Sequence, residues 1–172
     1  MGKSIKCSLN SKSIQDAIKQ LNDYKRTLVS KNELFAQRLS ELGIPIIDQN
    51  MLLSQGDSDK EYNTYIKINT FGEFAQAVLV CEGKDLLFIE FGAGIHYNGN
   101  LGSSPHPKGE QFGYTIGSYG KGQGQNDSWI YESETGEWAR SYGTEATMPM
   151  YHASVQIMQN IREIAKDVFA SK

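Results

Sequence analysis

From Ser13 to Leu42 apolar residues return every seven positions, at Ile14, Leu21, Leu28, Phe35 and Leu42. Ile18 and Leu39 hold the companion positions, which Lys25 and Asn32 also occupy. That period predicts one amphipathic helix over 13–42 with a polar interruption in its apolar stripe. Ser13 is the expected N-cap, and Gly43 followed by Pro45 the expected stop. At about 1.5 Å per residue the helix is about 45 Å long, more than a domain of this size needs. Either it lies across a sheet, or one end also packs on a neighbouring subunit, with Lys25 and Asn32 marking where the stripe becomes wet.

Residues 44–91 read as β-rich. Ile44 to Leu53 is short and apolar, and Tyr62 to Thr70 alternates, with Ile66 and Ile68 on one face. Glu73 to Glu82 and Leu86 to Phe91 are apolar runs separated by Gly83-Lys84-Asp85, a hairpin signal. Phe71-Gly72 is the expected turn between the earlier strands, so the connections are short and the pairing antiparallel.

Most of the 17 glycines lie in 92–143, and charge becomes sparse over 92–127. Gly120-Lys-Gly-Gln-Gly124 forms no regular structure by propensity. A loop insertion over 92–127 is long for a compact domain, which points to a contact role and to mobility in the free subunit. Tyr97, Phe112, Tyr114 and Tyr119 speak against a mere linker. Order resumes over 128–142, where Trp129 to Ser133 and Glu137 to Tyr142 flank the turn Glu134-Thr135-Gly136. A last helix follows over 148–170. Thr147 is its expected cap, and Met150, Ser154, Met158, Ile161, Ala165 and Val168 its expected inner stripe, widened by Val155, Ile157 and Ile164. The expected fold is a single α+β domain over 1–172: an antiparallel sheet of about five to six strands, packed by the two terminal helices and carrying the glycine-rich loop.

Composition narrows the function. The 172 residues suit one domain, and 39% hydrophobic with 22% charged residues is globular with a polar surplus. A net charge of −3 without basic excess gives no reason to expect specific nucleic-acid binding. No apolar run is long enough to span a membrane and no targeting segment is visible, so a cytoplasmic protein is expected. Cys7 and Cys81 read as free thiols in a reducing compartment.

Chemistry-bearing patterns are few. The 120–124 glycines lack the Gly-Lys-Ser/Thr ending of a phosphate loop. His96, His106 and His152 have no ligand spacing for a metal; His96 and His106 are expected to be exposed loop residues and His152 partly exposed. Cys81 sits in an apolar strand, where desolvation makes a thiol inert. Glu90, inside Leu86-Leu-Phe-Ile-Glu-Phe-Gly92, is the carboxylate that needs an explanation. It is an outward-facing residue, a structural salt bridge that could cross a subunit boundary, or an acid–base group.

Phe88-Ile-Glu-Phe-Gly-Ala-Gly94, His106-Pro107, Gly113-Tyr114, Ile116 through Gly122, Trp129, Trp138 and Gly143 through Met150 together resemble a known family. It comprises the minor structural proteins of long-tailed phages and prophages, the tail-completion, neck or head–tail joining proteins, and the likeness is closest to versions from prophages of Gram-positive bacteria. The resemblance runs from the first helix to the last. It implies a non-enzymatic virion assembly subunit without catalytic residues, metal or cofactor. Such a subunit acts in a homo-oligomeric ring, while free copies are monomers. Its implied partners are head-closure or connector subunits on one side and tail-terminator or tail-tube subunits on the other. It would pass from the host cytoplasm into the virion neck. The 92–127 insertion exceeds that of shorter family members, so its role transfers least. Glu90, Tyr97, Tyr114, Tyr119, Trp129 and Trp138 are the expected assembly contacts. Two rivals stand beside this reading: a carbohydrate- or peptide-binding module built on the loop aromatics, and a small phage-encoded enzyme or toxin.

Overall fold

The computed structural model describes residues 4–54, 61–94, 96–97, 100–101, 104–113, 128–133, 135–141 and 143–170. Helix α1, Ser11–Glu41, starts earlier than its stripe suggests, because Asn10 and not Ser13 is the N-cap. The Asn10 side chain accepts the Ser13 N–H at 2.8 Å, while the Ser13 hydroxyl accepts the Ser8 N–H at 2.9 Å. Two donors at the helix start are thereby satisfied reciprocally.

Gly43 does not end the helical region. The chain passes through Leu42 directly into a second helix, α2, Gly43–Ser54, where strand character was expected. Pro45 lies in the first turn of α2, where a missing N–H costs nothing. A Cβ on Gly43 would run into the Leu79 side chain, so the glycine permits close approach rather than a stop. Ile44 to Leu53 lacks alternation, and periodicity does not separate a short buried strand from a buried helix.

Strands β1, Tyr62–Phe71, and β2, Phe74–Gly83, form the long antiparallel hairpin, in register from Tyr62↔Gly83 to Phe71↔Phe74. Gly72 turns the chain at φ +62°, as Phe71-Gly72 predicts. The second predicted hairpin is absent. Leu86–Phe91 is a short helix, α3, entered through Asp85 at φ +59°. Ile89, Glu90 and Phe91 are buried in succession, which alternating strand faces beside a solvated surface do not allow.

Three small ladders complete the described strands. β3, Ala93–Gly94, pairs with β8, Gly143–Thr144; β4, His96–Tyr97, pairs with β5, Asn100–Leu101. β6, Trp129–Glu132, pairs with β7, Trp138–Ser141, as expected. The chain is α+β, but its described strands form four two-stranded ladders and not one sheet of five or six strands. The interruption is physical: α3 intervenes after β2, and Gly92 at φ +79° redirects the chain before a third strand joins the hairpin.

Helix α4, Pro149–Ala170, closes the fold. Its buried residues are Pro149, Ala153 and Val168, whereas Met158 and Ile161 are exposed, so the inner face is rotated from the predicted stripe. The small Ala153 lets α4 approach the core formed with Ile47, Met51 and Ile89. Tyr62, Leu79 and Cys81 of the hairpin pack against that cluster. The hairpin tip reaches back to α1, where Lys25 pairs with Glu73 at 2.6 Å and the Asn32 amide donates to the Glu73 carbonyl at 3.3 Å. The polar interruptions of the stripe thus meet the hairpin turn. Beyond it, Ile14, Ile18, Leu21 and Tyr24 are exposed.

Candidate functional site

Glu90 and His106 are the most deeply buried ionisable side chains in the described core, each 8% exposed. Their site is assembled from α3, the turn 104–113 and the start of α4. Met148 accepts the first intrahelical bond of α4, from the His152 N–H at 3.0 Å, yet has no side-chain acceptor for the following amides. Glu90 supplies it from another element: Oε2 accepts the Met150 N–H at 2.8 Å, and Oε1 accepts the Tyr151 N–H at 2.9 Å. A carboxylate is favoured there by the partial positive charge of the helix start. Thr147, the expected cap, does not serve; its hydroxyl is buried without a partner.

His106 completes the group. Its Nδ1 accepts the Lys108 N–H at 3.0 Å, so that nitrogen carries no proton. The ring is therefore the neutral Nε2–H tautomer, and Nε2 donates to Glu90 Oε1 at 3.2 Å. The imidazole lies against Phe91 at 4.5 Å and Tyr151 at 5.3 Å between ring centroids. Phe91 also touches Phe112, at 5.5 Å. The Ser104 hydroxyl donates to the Phe91 carbonyl, and the His106 N–H donates to Ser104 Oγ at 3.2 Å. A Cβ on Gly109 would meet Ser104 Cβ at 2.7 Å, which keeps the turn tight. His106 is thus buried in a built turn and not exposed in an open loop.

Glu90 receives three donors and is buried. A carboxylate so occupied holds chain segments together; as a proton carrier it would first have to shed those bonds. No family model matches the chain, and no curated protein or solved structure matches it either.

Of the remaining predicted contacts, Trp129 and Trp138 share the β6–β7 ribbon. Trp138 on β7 is 75% exposed, opposite Glu132, and Ile130 on the same face of the ribbon is also exposed. Trp129 pairs with Ser141 and Tyr97 with Asn100 along the backbone, but their side chains lie outside the described residues. Tyr114, Tyr119 and the 120–124 glycines also lie outside them. His152 is exposed. Cys7 is exposed, and Cys81 is half-buried. Burial raises the Cys81 thiol pKa, a neighbouring Thr64 hydroxyl opposing it in part. The sequence reading put His106 in an exposed loop and did not single out Ser104 or Tyr151. Two deficits could have found the site: a helix preceded by methionine at its cap position, and a carboxylate stranded in an apolar run.

Proposed function

We propose that this chain is a head–tail joining subunit of a long-tailed phage or prophage, acting by stoichiometric contact in a ring between the head connector and the tail. The likeness of its motif order to neck and tail-completion proteins motivates the reading, and one structural observation supports it. A run of apolar side chains on α1 lies on the surface beyond the hairpin tip: Ile18 is 52% and Leu21 55% exposed, with Ile14 and Tyr24 beside them. Phe71 and Phe74 are exposed at the hairpin tip as well. Contiguous apolar surface of this kind marks contact with other macromolecules. The Glu90 carboxylate, buried and engaged by three donors from two other segments, fits a structural subunit better than an acid–base enzyme.

Deleting the gene from an inducible prophage and imaging the lysate tests the proposal. DNA-filled heads and separate or aberrant tails are expected, with joining restored by the wild-type gene in trans. Joined particles of normal shape, or particles that lack only lytic or host-binding activity, would refute it and favour the enzyme or binding-module readings.

A further inference from the structure

We propose that Glu90 and His106 form a latch that couples the turn 104–113 to the first turn of α4, so that the two open and close together. The inference goes beyond the assembly reading and does not depend on it.

Three chain segments converge on one carboxylate. Glu90 belongs to α3, the amides of Met150 and Tyr151 to α4, and the His106 Nε2–H to the turn. The sharing is closest at Oε1, which accepts both Tyr151 and His106. Withdrawing the imidazole leaves a buried oxygen with one donor fewer and opens a path for water beside the helix start. Withdrawing the helix amides leaves a buried charge for which His106 alone is a poor partner. Each half therefore loses stability when the other leaves, which is the condition for thermodynamic coupling. The ring contacts follow the same division, since His106 touches Phe91 of α3 and Tyr151 of α4.

The junction also carries strain that a simple rivet would not need. Met148, immediately before Pro149, is held at φ +50°. The hydroxyl of Thr147, the residue before it, is buried without a partner. A bulky residue in that backbone region persists only when its surroundings hold it, and such positions are enriched at clamps and switch regions. The closed latch holds Met148 here. In the open state His106 leaves Oε1, the turn lifts from Phe91 and Tyr151, and residues 147–151 relax toward ordinary backbone.

Hydrogen exchange on the full chain tests this without any assembly partner. The turn reports through the amides of Gly109, Phe112 and Gly113, whose acceptors are backbone carbonyls untouched by the substitutions, and α4 reports through Met150, Tyr151 and His152. His106→Ala is expected to speed exchange in both sets together, by about tenfold to a hundredfold, as loss of a hydrogen bond to a charged acceptor implies. Residues 157–168 should be unchanged. Faster exchange in the turn alone would overturn the coupling and leave Glu90 a plain helix cap. No change in either set would place the attachment of the turn elsewhere and equally overturn it. Ser104→Ala, which spares the carboxylate, should give the same paired pattern at smaller amplitude; an unpaired response counts against the latch. Imidazole nitrogen shifts should show the Nε2–H tautomer, and a proton on Nδ1 would contradict the geometry.

Discussion

At the scale of single residues, Thr147 and Glu90 divide between them a task that usually falls to one side chain. Thr147 stands where a cap is expected, but its backbone N–H donates to the Ile89 carbonyl at 3.0 Å and its hydroxyl is left buried and unpaired. Thr147→Val keeps the shape and removes a desolvated polar group, an exchange worth about 1 kcal/mol or slightly more. Its denaturation midpoint should therefore rise without a change in m-value; a loss of stability would mean that the hydroxyl has a water or other partner in solution. The sequence exposed the problem at Glu90 without its solution. An ionisable group among Leu86, Leu87, Phe88, Ile89 and Phe91 had to be paired or exposed, and only the fold brings amides 60 and 61 positions away onto it. His106 was harder to see. Nothing in Ser-Pro-His-Pro marks burial, because the ring is covered by residues distant in sequence, Phe91 and Tyr151.

At the scale of elements, long periodic segments were legible and short apolar ones were not. The stripe of α1 and the alternation of β1 each repeat often enough to select a period. Leu86–Phe91 and Gly43–Ser54 are too short and too uniformly apolar to select a period, and both are helical: α3 buries the successive residues Ile89, Glu90 and Phe91, and α2 buries Gly43, Ile47 and Met51 on one face. The alternation of β1, the apolar run of β2 and the turn at Phe71-Gly72 revealed the hairpin but not its lack of a third strand, which follows from α3 and Gly92. The outer half of α1 is helical although it packs little, since it continues a turn already nucleated by the half that meets the hairpin and α4. Ile18→Asp with Leu21→Asp should then cost the isolated subunit less than about 1 kcal/mol in denaturant unfolding. By comparison Ile47→Ala, at a fully buried position, should cost about 2–5 kcal/mol. If the α1 pair costs as much as the core variant, the stripe is packed within its own fold and offers no surface to a neighbour. Under the joining proposal the same α1 pair should abolish particle completion while the soluble subunit stays folded.

At the scale of the whole molecule, the core is small and asymmetrically placed. Ile47, Met51, Ile89 and Ala153 join α2, α3 and α4 under the inner face of the hairpin, while much of α1 and the β6–β7 ribbon lie away from them. Among the described residues no helix is long and apolar enough to cross a membrane. The two-residue ladder between β3 and β8 also has a topological meaning. Ala93 pairs with Thr144 and Gly94 with Gly143, so the two ends of 95–142 are neighbours in space. Closing such a gap with a short turn costs little entropy. Replacing 95–142 by a short glycine–serine turn should leave a body that still unfolds cooperatively, less stable mainly by the lost contacts of Ser104, His106 and Phe112 with Glu90 and Phe91; loss of cooperative unfolding would show that the core does not form without this stretch. The ladder thus divides the stretch into two kinds of gene text: the turn 104–113, whose His106 is buried against Phe91 and Tyr151, is bound to the body, whereas length changes elsewhere in 95–142 leave the closing ladder in place.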